Sequence, residues 1–123
     1  MMLGDYAQAH KKLTEAIMLA IRLKRKASIL YQLETFTQLA FVTEHYVIAA
    51  QLYGYIIKHS KEDNIAFAAN TLQRMEHYSA QMNIALEARF ELLVNLGSRL
   101  SESAAAALAE SLSPSLAAIK EGK

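Results

Sequence analysis

Apolar residues recur at every third or fourth position along most of the chain, and this spacing is typical of amphipathic α-helices. On the first helix, the apolar face consists of Tyr6, Ala9, Leu13, Ala16, Ile17 and Ala20. Met18, Leu19 and Ile21 add apolar surface on another side, so this helix should lie between two neighbours. The pattern predicts helices over about residues 5–23, 27–42, 46–59, 65–81 and 84–96.

Capping residues indicate where these helices begin and end. Asp5 stands at the start of the first helix, and Asp63 or Asn64 can cap the fourth. Gly97 is suited to stop the fifth helix, because glycine readily takes the left-handed conformation that follows many helix ends. Ser101 can cap a short sixth helix. The links between consecutive helices are therefore expected to be short.

Short links make consecutive helices antiparallel neighbours. The 123-residue chain is 53% apolar and has one proline, which favours a globular helical domain. We therefore predict an all-α fold of antiparallel helical hairpins, with about six to seven helices stacked as a short superhelix. Residues 1–112 would form this domain, and residues 113–123 a short C-terminal helix or a frayed tail.

Composition excludes several classes of function. The net charge of +1 gives no electrostatic reason to expect nucleic acid or a membrane as a partner. The chain has no cysteine, and neither a signal-peptide core nor a long apolar run is found, so a cytoplasmic location is expected. The four histidines, expected on the surface, lack metal-pair spacing: His10, His45, His59 and His77. We expect no enzyme, no metal and no cofactor.

Two segments 40 residues apart share an aromatic–small–bulky pattern that indicates an internal repeat. The pattern is similar to the second helix of a tetratricopeptide (TPR) repeat, in which small residues let paired helices approach. The residues expected to pack the repeats are Tyr6, Ala9, Leu13, Ala16, Leu33, Phe36, Ala49, Tyr53 and Gly54. Because a TPR repeat is usually about 34 residues long, a longer turn is expected at residues 23–27.

Gly54 stands among bulky apolar residues in the middle of the third predicted helix. Glycine there destabilises the helix by about 1 kcal/mol relative to alanine, so some other interaction should compensate. Close approach of a neighbouring helix is the expected reason. A ligand contact and a tolerated substitution are the alternatives.

Three segments resemble the C-terminal helical domain of bacterial LuxR-type and SARP-type ATP-dependent transcriptional regulators and related signalling proteins. They are LETFTQLA, AAQLYGYIIKH and ARFELLVNLGSRLSESAAAALAESL. Gly54, Phe90 and Gly97 match small or aromatic positions of that family. The chain departs from the family at Lys24, where a glycine is common. The resemblance implies a TPR-like regulatory domain within a larger protein.

TPR folds bind partners on the surface lined by the first helix of each pair. Here the second helix would present Tyr31, Glu34, Gln38 and Phe41. Such side chains can hold an extended peptide through hydrogen bonds and apolar contact. An ordinary solvated face is the alternative for these residues.

A second surface is expected on the first helix, because its repeat lacks a first half. Leu3, Met18 and Ile21 would then need cover, which the preceding repeat or a second copy could supply. We therefore expect a non-enzymatic protein–protein interaction domain of a bacterial transcriptional regulator, contacting a protein or peptide partner and the regulator's other domains. We expect the isolated chain to self-associate as a homodimer through this surface. The alternative is a stand-alone TPR-like adaptor that binds a peptide segment of a partner.

Overall fold

The structure is a computed structural model that describes residues 3–112, without the side chains of residues 3–5 and 7. The predicted all-α class with about six to seven helices is confirmed in this range. None of these helices is long and apolar enough to cross a membrane. The predicted tail at residues 113–123 lies outside the described residues. The six helices are α1 (Leu3–Arg22), α2 (Lys26–Val42), α3 (Tyr46–Glu62), α4 (Ala69–Leu86), α5 (Ala88–Ser98) and α6 (Glu102–Glu110).

The first three helices end in the same type of turn, repeated every 20 residues. Lys24, Glu44 and Asn64 have φ angles of 57°, 64° and 53°, in the left-handed region. At the first turn, the Lys24 N–H donates to the Ile21 carbonyl and the Arg25 N–H to the Ala20 carbonyl. The other two turns make the equivalent pair of bonds, which defines a Schellman motif.

This regular spacing explains the 40-residue repeat as two helix-and-turn units of 20 residues. The longer turn expected at residues 23–27 is wrong, because this turn makes the same hydrogen bonds as the other two. Lys24 adopts the left-handed conformation at the position where the resembled family commonly has glycine.

The left-handed turns yield a stability test. Glu44→Gly should raise the free energy of unfolding by about 0.5–1 kcal/mol, because glycine takes the left-handed conformation without a steric cost. Glu76→Gly, in the exposed interior of α4, is the matched control and should lower it by about 1 kcal/mol. Urea denaturation measures both values. A destabilised Glu44→Gly variant would contradict the assigned turn geometry.

The boundary between α3 and α4 differs from the sequence prediction. The α3 helix continues through the expected polar break to Glu62, and α4 begins only at Ala69. Residues 65–68 form a non-helical link, in which the Ala66 carbonyl accepts a hydrogen bond from the Tyr31 hydroxyl at 3.1 Å. Phe67 packs edge-on against Tyr31. These contacts with α2 hold the link against that helix, and they lie between residues distant in sequence.

The start of α5 and the two capping residues predicted near α6, Ser101 and Gly97, can also be compared with the structure. The α5 helix begins at Ala88 because Glu87, with φ 54° and ψ −126°, interrupts the helical path. Ser101 caps α6 as predicted, since its hydroxyl accepts a hydrogen bond from the Ala104 N–H at 3.1 Å. Gly97 does not stop α5 in a left-handed conformation, because it lies within the helix and its φ is negative.

The centre of the core is formed by α2 and α3, with α1 against α2 and α5 against α3. Leu33, Phe36 and Ala49 are fully buried, and Gly54 is buried beside them. None of the nine residues predicted to pack the repeats is exposed, and the other five are half-buried: Tyr6, Ala9, Leu13, Ala16 and Tyr53. The small residues therefore lie at helix contacts.

The closest helix contact is formed by two glycines that face each other's backbone. A Cβ added at Gly54 would lie 2.8 Å from the carbonyl carbon of Val94 on α5. A Cβ added at Gly97 would lie 2.7 Å from the Cα of Gln51 on α3. Because the obstructing atoms are backbone, neither position can accept a side chain unless the two helices move apart.

Alanine at either glycine should therefore separate α3 from α5. Gly54→Ala and Gly97→Ala should each lower the free energy of unfolding by roughly 3 kcal/mol, the size of a severe overpacking defect. Helix propensity alone predicts the opposite sign, a gain of about 1 kcal/mol. Asn95→Ala on the exposed side of α5 controls for propensity and should not destabilise. Thermal unfolding followed by circular dichroism distinguishes the two signs.

The α6 helix returns across the stack instead of extending it, and it contacts α1, α2 and α3. His10 of α1 is buried, and its Nε2 donates to the Ala109 carbonyl of α6 at 2.9 Å. The same ring packs edge-on against Phe36 of α2. The expected surface location of His10 is therefore wrong, because α6 covers it and supplies its hydrogen-bond partner.

Candidate functional site

A cleft of about 350 Å³ lies between α2 and the segment that leads into α4. Its lining includes two aromatic side chains, two threonine hydroxyls and a charged pair. We call it the α2–α4 cleft, and its lining residues are Tyr31, Glu34, Thr35, Phe67, Ala68, Thr71 and Arg74.

Glu34 lies at the base of this cleft and is only 3% exposed. Its carboxylate accepts hydrogen bonds from Arg74 Nη2 at 2.9 Å, from the Tyr78 hydroxyl at 3.2 Å and from Gln38 Nε2 at 3.0 Å. A buried carboxylate is tolerated when it is paired and its oxygens are satisfied, as they are here. The expectation that Glu34 is presented to a partner is wrong, because α4 covers it.

Tyr78 is held as a hydrogen-bond donor by its surroundings. Burial raises the pKa of the Tyr78 hydroxyl well above its usual range, and the neighbouring Glu34 raises this pKa further. The hydroxyl therefore stays protonated near neutral pH and donates to the carboxylate. Since Glu34 is on α2 while Arg74 and Tyr78 are on α4, the network ties these two helices together.

The other residues predicted for partner binding occupy different environments. Tyr31 is 45% exposed and forms one wall of the cleft, although its hydroxyl bonds the Ala66 carbonyl. Gln38 is half-buried and committed to Glu34. Phe41 is half-buried against Tyr46 and Tyr78 and does not line the cleft. The structure therefore brings Tyr31 and Glu34 together in the cleft, with Tyr31 the accessible member of the predicted set.

Sequence reasoning missed the α4 side of the cleft, although a signal was available. Glu34 and Arg74 are 40 residues apart, which is the period of the internal repeat. On α2 the polar face is formed by Tyr31, Glu34 and Gln38, and the same spacing recurs on α4 with Thr71, Arg74 and Tyr78. An acid and a base separated by one 40-residue repeat predict an ion pair between α2 and α4.

The cleft can donate hydrogen bonds without carrying a net charge. Glu34 neutralises Arg74, whose side chain is 42% exposed and keeps further N–H donors accessible from the cleft. The Thr71 hydroxyl lies 3.4 Å from Arg74 Nη2. Because the charge of Arg74 is balanced by Glu34, these donors beside aromatic walls suit an uncharged acceptor, such as a peptide carbonyl, better than a free anion.

An apolar groove adjoins the cleft on the other side of Thr35, between α1 and α2. Its volume is about 250 Å³, and Tyr6, Ala9 and Leu13 line its α1 side. Gln38, Leu39 and Val42 line its α2 side. Because Thr35 lines both depressions, they are neighbours on the surface of α2.

The residues predicted for self-association do not form one exposed surface. Met18 is exposed, but Ile21 is half-buried and packs against the core. The side chain of Leu3 is outside the described part. Leu19 and Leu23 are exposed beside Met18, so α1 carries a small uncovered apolar patch. The homodimer remains a prediction.

Comparisons with known proteins identify no relative. The sequence matches no family model, and neither a curated protein nor a solved structure is similar to it. Within residues 3–112, no three His, Asp or Glu side chains are grouped so that they could hold a metal ion.

The Glu34 network can be tested by its effect on stability. Glu34→Ala should lower the free energy of unfolding by about 3 kcal/mol, because Arg74 and Tyr78 lose their common acceptor at a buried site. Tyr78→Phe should cost about 1 kcal/mol alone and much less in the Glu34→Ala background. Glu91→Ala, an exposed acid on α5, is the control. Strictly additive effects in urea denaturation would contradict a shared network.

Proposed function

We propose that this chain is a non-enzymatic helical-repeat domain that binds an extended segment of a partner protein in the α2–α4 cleft. The observation that supports this function is a preorganised Arg74–Glu34 ion pair, without net charge, whose free donors lie beside two aromatic side chains. Buried Glu34 orients Arg74, while Tyr31 and Phe67 provide apolar surface at the same opening. Preorganised donors lose little conformational freedom on binding, which favours affinity.

An extended peptide fits both the size and the chemistry of this surface. Each extended residue advances about 3.3 Å and alternates its side chains between two faces. A peptide carbonyl could accept from Arg74 while one neighbouring side chain packs on Tyr31 and Phe67. Further residues of the peptide could extend past Thr35 to the neighbouring apolar groove between α1 and α2. The partner is therefore expected to carry apolar residues around an uncharged polar segment.

We further propose that the domain acts within a cytoplasmic bacterial transcriptional regulator. This part rests on the resemblance of its packing segments to the helical domain of LuxR-type and SARP-type regulators, in which Gly54 and Gly97 match small positions. The stand-alone TPR-like adaptor is the alternative. The gene context separates them, since an ATPase module encoded in frame with this chain favours the regulator.

Peptide selection tests the binding function directly. Peptides enriched from a random library on the wild-type chain should lose about tenfold or more in affinity for Tyr31→Ala, because a central aromatic contact is removed. Leu92→Ala is the control, since Leu92 is equally apolar and exposed on α5, away from the cleft. Fluorescence anisotropy measures both affinities. Equal binding to wild type and Tyr31→Ala would exclude the cleft as the binding site.

A further inference from the structure

A single residue, Glu87, separates α4 from α5. Its φ of 54° and ψ of −126° lie in a region that glycine occupies freely and that residues with a Cβ occupy only under strain. The Glu87 side chain is exposed and does not cap α5, so it makes no local interaction that offsets this strain. The backbone therefore stays bent at Glu87 because contacts elsewhere hold α5 in place.

The local sequence around this bend favours a straight helix instead. Residues 84–93, IALEARFELL, contain neither glycine nor proline, and most of them are strong helix formers. The N–H groups of Ala88 and Arg89 make no hydrogen bond to a backbone acceptor in the described part of the chain. In a continuous helix they would donate to the carbonyls four residues earlier. Straightening at Glu87 would thus relieve strain and add two hydrogen bonds.

Exposed apolar residues on both sides of the bend show the same tendency. Ile84, Leu92 and Leu96 are 72%, 59% and 44% exposed. Together with Ala88, which is also exposed, they recur at every fourth position. This spacing would place them along one side of a continuous helix, and we call these four residues the α4–α5 stripe. In the bent form the stripe is divided between two helices, and residues 3–112 leave it uncovered.

The bent form is held by contacts of α5 and α6 with the first three helices. The α5 helix packs on α3 through Gly54 and Gly97, and α6 contacts α1, α2 and α3. The same contacts can be made when α5 and α6 belong to a different copy of the chain. Two straightened copies could therefore each supply α5 and α6 to the first three helices of the other.

We propose that two copies of this chain form a dimer by exchanging α5 and α6, with Glu87 as the hinge that straightens. Each copy retains the packing of α5 and α6, now made with its partner, so the main cost is the entropy of association. Relief of strain at two hinges and mutual covering of the two α4–α5 stripes offset this cost. The dimer does not depend on peptide binding in the α2–α4 cleft, and it differs from the dimer predicted through α1.

The hinge is tested by the dimer association constant, measured by size-exclusion chromatography with light scattering after refolding at a series of protein concentrations. Glu87→Gly should lower this constant on the order of 100-fold, because glycine relieves the strain of the bent form and weakens the straight helix. Glu91→Gly is the matched control, since this exposed residue of α5 is helical in both forms. Equal constants for the two variants, or a wild type that stays monomeric throughout, would overturn the proposal.

Mixing two defective copies distinguishes exchange from association of intact folds. Gly54→Ala places the added Cβ on α3, and Gly97→Ala places it on α5. In an exchanged dimer of one copy of each, one α3–α5 interface carries both substitutions and the other is entirely wild-type. Copies refolded together should therefore form the mixed dimer preferentially by native mass spectrometry, and it should melt at a higher temperature than either variant alone. Without this rescue, α5 is not exchanged.

A third comparison locates the surface that the dimer covers. Ile84→Ser should weaken the dimer about tenfold, because an apolar side chain covered only in the dimer is lost. Leu19→Ser removes a largely exposed apolar side chain from α1 and should leave the association constant unchanged. A dimer weakened by Leu19→Ser and not by Ile84→Ser would assign self-association to the α1 patch and exclude the exchange.

Discussion

The approach of α3 to α5 depends on the absence of two side chains. Because Gly54 and Gly97 have no Cβ, the backbone of the facing helix lies directly against each of them. Any larger residue at either position would push α3 and α5 apart. The loss of helix propensity at both positions, about 1 kcal/mol each, is offset by the packing that this proximity allows. Because α3 also contacts α2, α4 and α6, its position affects every neighbouring element.

The α4 helix is positioned differently, since its link to α3 is non-helical and its contact with α2 is polar. Glu34 accepts hydrogen bonds from Arg74 and Tyr78, and this buried network determines how α4 faces α2. The width of the α2–α4 cleft follows from it. The same network keeps the cleft neutral while leaving donors accessible. A single buried carboxylate therefore connects helix packing with the chemistry of the proposed binding surface.

The α6 helix packs across α1, α2 and α3, and a polar cavity lies where its first residue meets α2 and α3. The Ala109 carbonyl of α6 accepts a hydrogen bond from His10 Nε2, which ties α6 to α1. Glu102, at the start of α6, lines a cavity together with Tyr55 and His59 of α3. The α2–α4 cleft and this cavity thus lie where two different helices, α4 and α6, pack against the α2–α3 centre.

The sequence by itself determined the all-α class, the approximate helix positions, the Ser101 cap and the small residues at helix contacts, because these follow from local periodicity and propensity. It also contained the 40-residue relation between Glu34 and Arg74. Tertiary structure alone decided that Gly97 packs inside α5, that His10 is buried, and that Glu34 is covered by α4. Each of these outcomes depends on a partner distant in the chain, and local patterns carry no information about which partner will cover a given face.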